Sequence, residues 1–93
     1  GVIALSTASG ELAWHAYQGF VVDALALDGD VLWIVRKDHT SGGTWLEALP
    51  LDGGPPLVSL AISQQPEPVY ALAVSERRIL ITGDVIHLVR YEE

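Results

Sequence analysis

Three histidines, His15, His39 and His87, are the side chains best suited to acid–base or metal chemistry near neutral pH. They lie in three separate segments. No His-x-x-x-His or His-Glu spacing puts two of them on one metal, so no metal site is expected. Ser41, His39 and Asp38 could be written as a nucleophile, base and carboxylate. Sequence neighbours rarely point at one another in triad geometry, and no Gly-x-Ser-x-Gly elbow is present. Asp28, Asp30, Asp52 and Asp84 each stand next to a glycine or one residue from it. Asp28-Gly29-Asp30 hints at a calcium loop, but the Asp-x-Asp-x-Asp-Gly spacing is missing. These aspartates read as turn residues. No carboxylate pair is marked for glycosidic chemistry. Gly42-Gly43 is followed by no Gly-Lys-Ser/Thr and no helix start, so it is no phosphate loop. The expected catalytic and cofactor residues are therefore none.

Binding chemistry is better represented. Trp14, Trp33 and Trp45, with Tyr17, Tyr70 and Tyr91, could form stacking platforms for a sugar or a peptide, or pack as core and cross-strand partners. Trp45 follows a Gly-rich loop and is the one most expected at the surface. Arg36-Lys37 and Arg77-Arg78 are small cationic breaks of the kind that oppose edge-to-edge strand pairing. The expected interaction surface is Trp45, His39, Arg36 and Lys37, grouped around the polar loop 37–43.

The elements that position these residues are legible. The 93 residues contain 49% apolar and 18% charged residues, which excludes a disordered chain. Five basic against twelve acidic residues give a net charge of −7. That balance disfavours nucleic acid and anionic membrane as partners. No cysteine is present, so disulfides and thiolate chemistry are excluded. No apolar run approaches the ~20 residues of a membrane helix, and no signal peptide is recognisable. The chain begins with Gly1 and contains no Met, as expected of a processed, excised or trimmed chain. A domain this small cannot hide so much apolar surface in one core, so a subunit or neighbouring domain is expected to cover part of it.

Short period-2 runs bounded by turn residues predict strands over 2–6, 20–27, 31–36, 44–51, 57–62, 69–74, 78–82 and 85–91. Asp28-Gly29 predicts a type I′ hairpin turn, and Gly83-Asp84 a type II′ turn. The segment 11–18 reads in two ways. As a strand, Leu12, Trp14 and Ala16 share one face; as a helix, Ser9 caps it and Gly19 ends it. About nine strands at roughly 10-residue spacing predict an all-β antiparallel fold.

Val22-Asp23-Ala24-Leu25-Ala26-Leu27-Asp28 is echoed 47 residues later by Val69-Tyr70-Ala71-Leu72-Ala73-Val74-Ser75. A period in the forties with four strands per repeat is that of a propeller blade. The stretch from Asp23 to Leu60, with Trp33 in its second strand and Pro50-Leu51-Asp52-Gly53-Gly54 closing its third, resembles a blade of the TolB-like, NHL-like and YWTD-like propellers. Gly10-Glu11-Leu12-Ala13-Trp14 is similar to a quinoprotein-type blade ending. Ser75-Glu76-Arg77 departs from the pattern, where Asp-Gly is expected. The resemblance implies four-stranded blades: 1–18 as the end hairpin of one, 20–62 as a full blade, 69–93 as part of the next. A small β-sandwich or barrel, with or without a helix at 11–18, is the other architecture. The resemblance implies a non-catalytic protein-interaction or scaffold module, completed by oligomerisation or by a longer parent chain. Its partner would be a protein or another copy. The other readings are an oligomeric β-sandwich adaptor or immunity-type protein, and the propeller portion of a hydrolase with its active site elsewhere.

Overall fold

The computed structural model describes residues 1–17, 20–38, 40 and 42–91. Among them the fold is all-β, with nine strands: β1 (Val2–Leu5), β2 (Leu12–Ala16), β3 (Val22–Asp28), β4 (Val31–Lys37), β5 (Thr44–Pro50), β6 (Val58–Ser63), β7 (Val69–Ser75), β8 (Arg78–Gly83) and β9 (His87–Arg90). They form antiparallel sheets ordered β1-β2, β3-β4-β5-β6 and β7-β8-β9. No barrel closes among the described residues. None of them forms a helix long and apolar enough to cross a membrane.

The helical reading of 11–18 does not hold. Leu12–Ala16 is a strand paired with β1, placing Val2 opposite Ala16 and Ala4 opposite Trp14. Val2, Trp14 and Ala16 then meet Leu32, Ile34 and Leu49 of the four-stranded sheet. Tertiary burial of the period-2 face outweighs the fair helix propensity of these residues.

The two middle strands of the central sheet, β4 and β5, are covered on both faces. Side chains alternate along β4, so Leu32 and Ile34 face the β1-β2 hairpin while Trp33 and Val35 face the β7-β8-β9 sheet. That explains the unbroken apolar run of Val31–Val35, which a half-exposed strand would interrupt with polar residues. On the second face Trp33, Val35, Leu46 and Ala48 pack against Val69, Ile79 and Ile81. Ile34, Val35, Ile79 and Ile81 are completely buried. Each such side chain contributes about 1.5–3 kcal/mol.

Two turns differ from expectation. The β3–β4 loop is Gly29-Asp30, and positive φ occurs at Gly29 (59°) but not at Asp30. That is the II′ pattern, which needs the left-handed conformation only at its first central residue. Gly83 has no positive φ and makes no II′ turn; a Cβ there would run into the Pro68 carbonyl oxygen. Glycine is required at that point because two backbones approach closely.

Candidate functional site

One end of the central sheet gathers most of the expected surface residues. Arg36 and Trp45 are directly opposed on β4 and β5, and Glu47 is opposed to Ser59 on β6. Opposed residues point to the same face, so these four side chains converge. The Arg36 guanidinium pairs with Glu47, whose second carboxylate oxygen accepts the Ser59 hydroxyl at 2.8 Å. Its Cζ also stands 5.8 Å from the Tyr17 ring centroid, 5.2 Å from that of Phe20 and 5.6 Å from that of Trp45. Glu47 is buried, a position a carboxylate tolerates only with a partner. The aromatic rings satisfy the flat faces of the cation. Arg36 therefore anchors Tyr17 and Phe20, which lie between β2 and β3, to the sheet. The Tyr17 phenol lies beside this node, and its pKa is pushed up to about 12, by burial first and the Glu47 charge second.

Lys37 pairs with Asp23 of β3. Beside that pair, the Thr44 hydroxyl donates to the Gln65 carbonyl and accepts from the Glu67 amide, each at 3.0 Å. These bonds hold the 64–68 loop so that Glu67 Oε2 meets His87 Nε2 at 2.7 Å. The hydrogen bond from His87 holds the Glu67 carboxyl below its ordinary pKa, against a smaller opposing effect of burial. Asp23, Lys37, Glu67 and Tyr70 line an open cleft of about 410 Å³ there.

Trp45 is half-buried. With Gly43, Ala61, Ser63 and Gln64 it lines a groove of about 430 Å³. It thus joins Arg36 at a shared wall, whereas Lys37 belongs to the neighbouring cleft. His39 lies outside the described residues, as does Ser41, so the Ser41-His39-Asp38 grouping has no described geometry. Three of the aspartates hold structure, Asp52 within its turn and the others between strands: Asp52 Oδ1 accepts the Gly54 amide, Asp28 accepts the Tyr91 hydroxyl and Asp84 that of Tyr70. Among the described residues no three His, Asp or Glu side chains converge on a possible metal site.

The more informative surface is apolar. Leu25 and Ile34 are directly opposed on β3 and β4, and so share a face; Ile34 is 0% exposed and Leu25 is 55%. Leu27, opposite the buried Leu32, is likewise exposed. The layer on this face covers β4 and β5 and reaches β3 only at Val22, leaving Leu25 and Leu27 bare. On the other face Val58 and Leu60 of β6 lie exposed beyond β9. The two outer layers also present bare apolar faces: Ile3 and Leu5 on β1, and the opposed pair Leu80 and Leu88 on β8 and β9. High apolar content signals such surface in the sequence, but its location follows only from the stacking of the sheets. No protein-family model matches the chain, and no curated protein or solved structure does so either.

Proposed function

We propose that this chain is a non-catalytic, β-propeller-like interaction or scaffold module, whose blade-like sheets are completed by further sheets of a longer chain or another subunit. The half-covered face of the central sheet carries the reading. A sheet whose side chains pass from 0% to 55% exposed between directly opposed residues has a cover that ends too early. Water against such a patch is costly, at roughly 25 cal/mol per Å².

Three further observations support a stack of blades. The central sheet is a four-stranded meander with a sheet on each face. Between different sheets, β3 and β7 are in closest contact, as the inner strands of neighbouring blades are. Finally, β3 and β7 carry a register shift at the same point of the echoed sequence, between Val22 and Ala24 and between Val69 and Ala71.

The test is binding of an apolar dye, bis-ANS, to the dilute chain. Fluorescence enhancement is expected, and Leu25→Glu/Leu27→Glu and Leu88→Glu should each reduce it without altering far-UV circular dichroism. No enhancement, or equal enhancement in all three chains, would overturn the reading.

A further inference from the structure

Resting on that reading, we infer that the open faces are covered by a second copy of this chain, added head to tail through pairing of β9 of one copy with β1 of the next. Among the described residues both strands have a free backbone edge: β1 pairs with β2 alone, and β9 with β8 alone. Each free edge borders bare apolar surface of the central sheet. Trp14 of β2 reaches the Leu51 carbonyl beyond β5, so β2 lies toward the outer side and the open edge of β1 faces β3, where Leu25 and Leu27 are exposed. On the other face β7 sits against β3, so β8 and β9 follow outward and the open edge of β9 faces β6, where Val58 and Leu60 are exposed. A strand added to either edge lies about 4.8 Å further out, over the bare strand.

Joining the two edges satisfies both sites at once. In a composite sheet β7-β8-β9 of one copy continued by β1-β2 of the next, side-chain directions agree. Val89 faces its own central sheet, so Leu88 faces the second copy and its Leu25 and Leu27. Val2 faces its own central sheet, so Ile3 and Leu5 face the first copy and its Val58 and Leu60. Four separate apolar exposures are removed by one contact.

Charge points the same way. Arg78 and Arg90 are directly opposed on the outer face of β8-β9, both exposed, and neither forms an ion pair among the described residues. Like charges in that position repel unless an anion approaches. They lie at the end of the sheet marked by Tyr91, whose hydroxyl reaches Asp28. A second copy stacked in the same orientation brings its own Asp28 and Asp30 to that end. Such a contact is heterologous, and builds a ring if its rotation closes and a filament if it does not.

Analytical ultracentrifugation from micromolar to millimolar chain tests the proposal. The wild type should rise in mass with concentration to at least twice that of the monomer. Leu25→Asp/Leu27→Asp and Leu88→Asp should each remain monomeric, and both alter exposed residues, so native circular dichroism is expected. Mixed together, the two variants retain one intact half each and should form a dimer that grows no further. A wild type monomeric throughout would overturn the proposal, as would two variants that stay apart on mixing. Dye binding by the dilute chain is independent of either result, so the interaction-module reading can survive this failure and can fail separately.

Discussion

The Trp14 indole donates from Nε1 to the Leu51 carbonyl at 2.8 Å and lays its ring on Gly53, where a Cβ would come within 2.7 Å of Trp14 Cγ. Gly53 also has φ of +86°. This contact ties the β1-β2 hairpin to the far end of the central sheet. Gly53→Ala is expected to destabilise by about 2–4 kcal/mol, combining the left-handed backbone cost with overpacking against the ring. Urea unfolding measures it; a loss below about 0.5 kcal/mol, the scale of an ordinary surface change, would mean that the ring moves aside freely.

The Arg36–Glu47 pair gives a different test. Removing only the carboxylate, Glu47→Ala, leaves a largely buried guanidinium without a counter-ion and should cost about 3–5 kcal/mol. Replacing both partners with apolar residues, Arg36→Met/Glu47→Leu, should cost much less than the single change. A double-mutant cycle by chemical denaturation decides this. Equal losses in both chains would show that the pair is not the source.

The β7–β8 turn places two ordinary residues in the left-handed region, Glu76 at φ 50° and Arg77 at φ 63°. Two consecutive positive values are the I′ pattern, which favours Asn-Gly. Glu76→Asn/Arg77→Gly should therefore raise stability by about 1–2 kcal/mol, seen as a higher thermal midpoint. An unchanged midpoint would refute strain at the turn.

Tyr17 should titrate late. Its phenol is held neutral up to about pH 12 in the folded chain, against an ordinary value of 10.0. A raised pKa on a group that becomes an anion stabilises the fold below pH 10. That contribution fades as pH climbs from 10 toward 12. Absorbance titration should show a late phenolate step that vanishes in Tyr17→Phe and moves to lower pH in Glu47→Gln.

Acid acts at the other cleft. Glu67 ionises below its ordinary pKa of 4.5 because His87 bonds to it. A lowered carboxyl pKa contributes stability above that ordinary value, lost as pH falls through the folded one. Wild type should exceed Glu67→Gln in stability at pH 6, and the two should converge in stronger acid. Parallel curves at all pH values would remove the bond from the account.

Much of the architecture could be read from neighbouring residues. The apolar run Val31–Val35 marks a strand, and the Ser75–Arg78 hairpin appears as a break between two apolar runs even without Asp-Gly. Strand 12–16 was ambiguous because five residues do not separate a period of 2 from one of 3.6. The turns at Gly29 and Gly83 differ from expectation for a related reason. Glycine marks a special backbone position without saying whether positive φ or a close neighbour requires it.

The functional surface was less legible. Arg36, Lys37 and Trp45 stood out as exposed candidates because charge and a Gly-rich loop suggest solvent. Arg36 instead lies among the rings of Tyr17, Phe20 and Trp45 with Glu47 as its counter-ion, and Lys37 is held by Asp23. The pairings of Glu67 with His87 and of Trp14 with Gly53 likewise join segments separated by 20 or more residues.

The sequence by itself determined that the chain is all-β, with strands between turn residues, because alternation and turn chemistry act over two to four residues. It also determined that apolar surface would exceed what one small core can hide. Tertiary structure alone decided which leucines remain outside. Leu25 and Ile34 are both apolar residues directly opposed on one face, and the width of the layer stacked above them buries one and leaves the other bare.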